Sequence, residues 1–392
     1  MKLAYLVTHP IQYQAPLLRR VASEPDIELH ALFMSDFSVR KYFDPGFGKE
    51  IKWDVPLTEG YDHEFLPRTT ENEKNIADIR NNGLEKILVR ERFDAIWSHG
   101  YAHRTSMRAL FIAKRRGIRT LIRAESQPFG VVREGLKGSL KDKVVPLVLK
   151  LGDAFLTVGS LNRQYYLSHG VPEEKMFSVP YAIENGRFHD QALAAAAGRD
   201  ELRAELGLAP DRPVILYASK LTGRKRIMDL FEAFRKLSDR QPKPYLVIVG
   251  DGEDRNQLEE AITNSGLRDD VKTVGFQNQT VLPRYFDLCD VFVLPSAREQ
   301  WGLVVNEVMC ANRAVVVSNE VGCGPDLIQD GVNGRIFPVG DVNALAEALW
   351  DVVKDPQRCR AMGDKSWEII SKWDFEADVA GIRAALRLPA RT

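Results

Sequence analysis

Short apolar runs alternate along this chain with segments whose apolar residues fall three and four apart. Runs at 2–8 (KLAYLVT), 27–34, 93–98, 119–125, 153–158 and 177–181 predict parallel strands buried on both faces. Segments 15–23, 83–92, 105–116, 138–151 and 161–168 predict helices with one apolar stripe. Residues 35–80 break this rhythm with Gly, Pro and aromatics. They are too many for a simple connection, so an insertion with a function, or a set of short elements, is expected there. A second series begins at Pro213. It predicts strands at 213–219, 244–250, 271–276, 290–295 and 313–318, alternating with helices at 226–238, 254–265, 280–288 and 303–312. Helices at 325–329, 343–353 and 356–371 follow. Residues 185–207, with an Ala-rich run at 192–197, are the best linker candidate between the two series.

Strand alternating with helix, twice over, predicts an α/β fold of two doubly wound parallel sheets. A length of 392 residues suits two domains. In such sheets ligands lie off the carboxyl ends of the strands, so the loops there are where chemistry belongs.

Charge and cysteine add little. Lys plus Arg and Asp plus Glu are equal at 54 each, so net charge selects no partner. Cys289, Cys310, Cys323 and Cys359 have no metal-ligand or redox spacing and read as buried free thiols. The chain opens directly on a strand, and no apolar run approaches the ~20 residues needed to span a bilayer. A cytoplasmic protein is expected. The basic stretch 133–150 carries Arg133, Lys137, Lys141, Lys143 and Lys150 beside a stripe of Leu136, Leu140, Val144, Leu147 and Leu151. Such a helix suits peripheral contact with an anionic membrane, or equally a core-facing stripe with a solvated cationic face. Nucleic acid is not expected, because no base-reading motif is present.

The strand ends carry the chemistry. After 213–219 come Lys220, Arg224, Lys225 and Arg226, a cation cluster suited to phosphate. After 244–250 the turn Gly250-Asp251-Gly252 would let a ligand approach the backbone. After 271–276, Phe276-Gln277-Asn278 could offer a base a backbone edge. After 290–295, Glu299 and Gly302 lead into a helix at Leu303 and Val304, with Glu307 one turn inside. The first N–H groups of a helix lack intrahelical partners and favour anions. Taken alone, a Glu pair at this spacing is most often solvated. A second anion site is expected at Pro325, the first residue of a short helix. Neither G-x-G-x-x-G nor G-x-x-x-x-G-K-[ST] occurs, which argues against a dinucleotide oxidoreductase and a P-loop phosphotransferase.

These residues resemble the group 1 (family four) retaining glycosyltransferases of the GT-B fold. Glu299 and Glu307, with Gly302 between them, match that family's Glu–seven residues–Glu motif. Lys220-Leu221 stands where Arg-Leu is usual, and Lys225 matches the family lysine. Gly250-Asp251-Gly252, Gly322-Cys323-Gly324, Gly331-Val332-Asn333-Gly334, Gly170-Val171-Pro172 and Val179-Pro180-Tyr181 with Phe188 match smaller landmarks. The resemblance implies two Rossmann-like domains facing across a cleft: 1–184 for the acceptor and 185–372 for a nucleotide-diphosphate sugar. It also implies a helical segment at 373–392 that packs back on the first domain. It implies that Lys220 and Lys225 neutralise the donor diphosphate and that Leu303 and Val304 N–H groups hold its distal phosphate. Glu307 would then bind ribose, and Glu299 a hydroxyl of the transferred sugar. No metal or other cofactor is required. The reaction would be retaining transfer to a hydroxyl acceptor in polysaccharide, glycolipid or glycoconjugate synthesis. A GT-B epimerase or phosphorylase and a catalytically silent sugar-nucleotide-binding module are the alternatives.

The N-terminal half departs from the pattern. His9 stands in a loop where a Gly-rich turn is common, and Glu125 where many members have a sugar-contacting His. Glu125, two residues after Arg123, is expected to take that role, or else to be a structural carboxylate paired with a nearby Arg. His9 and His99 are expected on the acceptor side. His99 and His103, four apart across Gly100, lack a third ligand for a metal.

Overall fold

The computed structural model describes residues 1–69, 79–128 and 144–389, which form two compact units. Unit 1 comprises Met1–Tyr42, Val55–Ala182 and Phe375–Thr392, and unit 2 comprises Phe43–Asp54 and Ile183–Asp374. The first unit is therefore not one continuous block from 1 to 184, because residues 43–54 belong to the second.

Unit 1 is built on strands β1 (Lys2–Val7), β2 (Glu28–Phe33), β5 (Asp62–Phe65), β6 (Ala95–His99), β7 (Arg119–Arg123), β8 (Ala154–Thr157) and β9 (Met176–Ser178). They lie parallel in the order β5-β2-β1-β6-β7-β8-β9. Alternate residues of a strand face opposite sides, so a strand buried on both faces must be apolar throughout. In β1, Leu3, Tyr5 and Val7 pack with Leu17, Leu18 and Val21 of α1 (Gln14–Ala22). Ala4 and Leu6 pack on the other face, against α2 (Leu84–Glu91) and α3 (Arg104–Arg115). Residues 144–149 (α4) and α5 (Ser160–Ser168) complete this side.

In unit 2, α6 (Asn185–Ala195) and α7 (Arg199–Glu205) precede β10 (Val214–Ala218). The expected linker at 185–207 is thus helical. Phe188 and Ala192 of α6 and Leu202 of α7 are buried, and both helices pack on α10 (Leu282–Leu288). The Ala-rich run is helix-forming, and its apolar positions found a tertiary partner. The sheet continues with β11 (Tyr245–Val249), β12 (Val271–Gly275), β13 (Val291–Leu294), β14 (Ala314–Ser318) and β15 (Gly334–Phe337), all parallel, in the order β12-β11-β10-β13-β14-β15. Helices α8 (Ile227–Arg235), α9 (Arg255–Ser265), α11 (Leu303–Cys310), α12 (Gly324–Leu327), α13 (Val342–Val353) and α14 (Pro356–Ile370) connect and cover it.

The last helix, α15 (Phe375–Leu386), belongs to unit 1 and packs on β8, β9 and α1. Gly381 is needed there because a Cβ would run into the Ser178 carbonyl. Arg383 anchors the helix by donating to Glu24 (2.7 Å) and Asp26 (2.6 and 2.8 Å).

Strand order reverses beside the first strand of each sheet, between β1 and β6 and between β10 and β13. Those reversals are the topological switch points at which open α/β sheets take ligands. Among the described residues no helix is long and apolar enough to cross a membrane. Most of the basic stretch 133–150 lies outside the described residues. Of its expected apolar stripe, Val144 and Leu147 are exposed, whereas Val145 and Leu149 enter the core.

Candidate functional site

In unit 2 the loops after β10 and β13 flank the switch point. The backbone ties them together: Ala297 N–H donates to the Arg224 carbonyl at 2.8 Å. Lys225, at the end of a 3₁₀ turn, forms an ion pair with Glu299, and both side chains are only 12% exposed. Glu299 is fixed from behind, with its N–H on the Glu320 carbonyl (2.9 Å) and its own carbonyl accepting from Gly322 N–H (2.9 Å). The loop then turns through Gly302 at φ +93°, where a Cβ would press on Leu294 and Val321 at 3.0 and 3.2 Å. Glycine is required on both counts.

Helix α11 starts directly after that turn. Gly302 has no side chain to cap it, and the first turn bond is Val305 N–H to the Gly302 carbonyl at 2.8 Å. The N–H groups of Leu303 and Val304 therefore stand at the open end of the helix, on half-buried residues. Glu307 follows one turn on and is almost fully buried, with the Gln279 amide at 3.5 Å. Trp301 braces the turn, its indole N–H on Asn306 at 3.0 Å.

Two expectations change. The Gly250-Asp251-Gly252 turn is not open to a ligand from the side its glycines vacate. Cβ atoms at Gly250 and Gly252 would collide with the carbonyls of Ser219 and Leu221, so the glycines admit the neighbouring loop. Leu221 N–H donates to the Asp251 carbonyl (2.9 Å) and closes the contact. The second anion site at Pro325 also fails. Helix α12 has four residues, and its entering N–H groups are used locally, Cys323 on Trp301 O (3.1 Å) and Gly324 on Val321 O (2.9 Å).

Residues 43–54 lie in the irregular stretch 35–80 where short elements were expected, but their partners in the second unit were not anticipated. Strands β3 (Tyr42–Asp44) and β4 (Lys49–Ile51) form a two-stranded ribbon against the loops after β10, β11 and β12. Asp44 binds Lys220 Nζ with both oxygens, at 2.8 and 3.0 Å. Phe47 meets Phe276 edge to face at 4.7 Å, and Lys49 pairs with Asp251 at 2.8 Å. Burial opposes ionisation of Asp251, but the Lys49 and Gly252 hydrogen bonds and the charges of Lys49 and Arg255 outweigh it and hold the carboxyl below the usual range. Asn278 donates to the Lys52 carbonyl at 2.8 Å, and Thr280 N–H to Asp54 at 3.2 Å.

In unit 1, β6 ends in His99, and His9 and Glu125 follow two residues after the ends of β1 and β7. Tyr181 O–H donates to Glu125 at 2.6 Å, and His99 Nε2 stands 3.6 Å from the same carboxylate oxygen. Tyr5 O–H lies 3.2 Å from His99 Nδ1. The tautomer with hydrogen on Nε2 points it at Glu125 and leaves Nδ1 to accept from Tyr5. Burial raises the Glu125 carboxyl, but bonds from His99 and Tyr181 and the charge of Arg123 outweigh this and hold it below the ordinary carboxylate range. Arg123 is not its direct partner. Its guanidinium donates to the Pro180 carbonyl (3.1 Å), faces Asp378 (3.9 Å) and stacks over the Trp97 and Tyr181 rings. Burial, then the charge of His99, push the His9 imidazole down to about 4. His103 instead caps α3, accepting from Thr105 N–H at 3.1 Å. All four cysteines are buried free thiols.

This fold is α/β with two doubly wound Rossmann-like units, the GT-B class. Residues 198–368 match the family described as Glycosyl transferases group 1. Similar curated proteins include the alpha-D-kanosaminyltransferase of Streptomyces kanamyceticus, 32% identical over 196 residues, 50% of each chain. Another is the GDP-mannose-dependent alpha-(1-6)-phosphatidylinositol monomannoside mannosyltransferase of Mycolicibacterium smegmatis, 28% identical over 61% of this chain and 63% of that protein. The chain thus spans from about two fifths to somewhat under two thirds of the curated relatives it matches. Among solved structures, Anabaena HepE in complex with UDP and glucose superposes with a TM-score of 0.72 at 17% identity, over 99% of both chains. Sucrose-phosphate synthase from Thermosynechococcus elongatus gives 0.73 at 20% identity, over 99% of this chain and 98% of that one. At these identities the likeness is one of fold.

Proposed function

We propose that the chain is a retaining glycosyltransferase moving a glycosyl group from a nucleotide-diphosphate sugar to an acceptor hydroxyl, in glycoconjugate or polysaccharide synthesis. One observation carries the reading: Lys220, Lys225, Glu299 and the open end of α11 converge on the switch point of the unit that matches the group 1 family. Lys220 and Lys225 neutralise the diphosphate, and the Leu303 and Val304 N–H groups hold its distal phosphate. Glu307, buried one turn inside α11, accepts from the ribose hydroxyls. Glu299 accepts from a hydroxyl of the transferred sugar. Phe276 and the adjoining backbone receive the base. That HepE was solved with UDP supports a nucleotide ligand for this fold.

In the reaction the bond from the anomeric carbon to the phosphate oxygen breaks and a bond to the acceptor oxygen forms on the same face. The acceptor proton passes to the departing phosphate. Preorganised cations and N–H donors stabilise the charge that develops there, and one such donor is typically worth ~3–4 kcal/mol. In unit 1, Glu125 contacts the sugar, and His9 and His99 receive the acceptor. The donor site needs no metal in this scheme, since lysines and helix end supply the positive charge.

The test is a panel of nucleotide sugars incubated with the purified chain. Slow release of nucleoside diphosphate and free sugar is expected with one of them, and NMR of the transfer product should show a retained anomer. Glu307→Ala should weaken diphosphate binding by about 1.5–3 kcal/mol, the range for a hydrogen bond to a charged group. Tight diphosphate binding with no turnover of any donor would reduce the chain to a silent binding module.

A further inference from the structure

We infer that Asp44 is an internal ligand of the donor's phosphate site, and that the ribbon-forming segment 43–54 must leave Lys220 before a diphosphate can bind. The inference rests on the donor-site reading above. Its observation is separate: six residues of one twelve-residue segment meet the loops after β10, β11 and β12. Asp44 holds Lys220 with both carboxylate oxygens (2.8 and 3.0 Å). Gly46 covers the same side chain so closely that a Cβ there would lie 2.6 Å from Lys220 Cδ and 2.7 Å from Nζ. The Phe47 ring sits over Lys220 Nζ at 4.7 Å and against Phe276. Lys49 lies over the Phe276 ring at 5.4 Å while it pairs with Asp251. Lys52 and Asp54 engage Asn278 and Thr280.

The pattern imitates a nucleotide. A carboxylate takes the phosphate's cation, and Phe47 and Lys49 pack against the Phe276 ring. A diphosphate at Lys220 would meet Asp44 as a like charge. The two anions compete for one ammonium group whose three donors cannot serve both at full strength. The segment can hold this pose without help from the ligand, because Asp44 Oδ1 also accepts from the Gly46 and Phe47 N–H groups at 2.8 and 3.1 Å. Apparent donor affinity is then the intrinsic affinity scaled by the fraction of molecules with the segment displaced. Asp44 thereby sets donor affinity while taking no part in the transfer.

Asp44→Asn is the informative variant. The amide oxygen keeps the two turn bonds, and the negative charge on Lys220 is removed. Calorimetric titration of the full chain with UDP and GDP should show tighter binding to Asp44→Asn, by up to about tenfold if one molecule in ten is open in the wild type. Hydrogen exchange at 43–54 should speed up when the diphosphate is added to the wild type. Unchanged or weaker binding by Asp44→Asn, with 43–54 becoming protected on binding, would overturn the inference and make the segment part of the donor site. Absence of diphosphate binding by both proteins would instead overturn the donor-site reading and this inference with it.

Discussion

The two switch points share a topology and differ in charge. In unit 2 the strand ends present Lys220, Lys225 and the open N-terminus of α11, set against Glu299 and Glu307. In unit 1 they present His9, His99 and Glu125: Glu125 accepts from the Tyr181 hydroxyl and faces His99, His99 meets the Tyr5 hydroxyl, and His9 lies by Thr8 and Phe37. The first set can neutralise a diphosphate. The second offers one ionised carboxylate and two imidazoles, groups that recognise hydroxyls. A doubly wound sheet fixes where ligands go, and the loop residues at its switch point decide which charge is welcome there.

Four measurements would break or sharpen that contrast. Lys225→Ala should have the largest effect. It leaves Glu299 without its ion pair and, on the proposed mechanism, takes a cation from the leaving diphosphate, so the transfer rate should fall by about 10²–10³. A loss confined to KM, with kcat retained, would show that the lysine binds donor without assisting departure. If Glu125 serves the sugar and acceptor as proposed, Glu125→Gln should lower transfer about 10–100-fold and leave diphosphate affinity unchanged. Equal loss of diphosphate affinity would dissolve the division of labour between the units.

Tyr181→Phe should act through Glu125. Losing one hydrogen bond to the carboxylate costs about 1.5–3 kcal/mol of its positioning at most. Transfer should fall several-fold, less than for Glu125→Gln, and the acid limb of the pH–rate profile should move to higher pH as the carboxyl loses one of the bonds that hold its pKa down. A profile identical to wild type would leave Tyr181 a packing residue.

The smallest effect concerns His9. Its folded-state pKa of about 4 lies below the ordinary 6.5, so the unfolded chain takes up a proton that the folded chain refuses. The His9 contribution to stability is therefore intact above pH 6.5 and declines as pH falls from 6.5 to 4. A fall from 6.5 to about 4 is worth about 3 kcal/mol in full, and because His9 is only half-buried solvent screening reduces this. Over that window wild type should therefore lose about 1–2 kcal/mol more than His9→Gln, read by chemical denaturation. Parallel curves would place His9 in water.

Much of this architecture was readable from periodicity. Central parallel strands are apolar on both faces, and β1, β10, β13 and β14 stand out for that reason. Edge and short strands do not. Strand β5 reads DHEF and β15 reads GRIF, and each has a neighbour on one side only, so selection for unbroken apolar character is absent. Strands β3 and β4 have three residues each and no pattern to find. The Glu299–Glu307 stretch was legible because its chemistry is local: a strand end, a glycine turn and a helix start within one run of chain.

Local residue order, then, determined two α/β units and the chemical character of the loops at their strand ends, since burial on both faces and helix-end geometry operate over a few residues. Tertiary structure alone decided what each group touches. Residues 43–54, from the first half of the chain, supply the carboxylate on Lys220, 176 positions away. Ser219 and Leu221 fill the space that Gly250 and Gly252 vacate. Glu125 takes Tyr181 and His99 as partners in place of Arg123, two residues before it. Such pairings follow from strand order and packing, and neither leaves a mark in the spacing of residues along the chain.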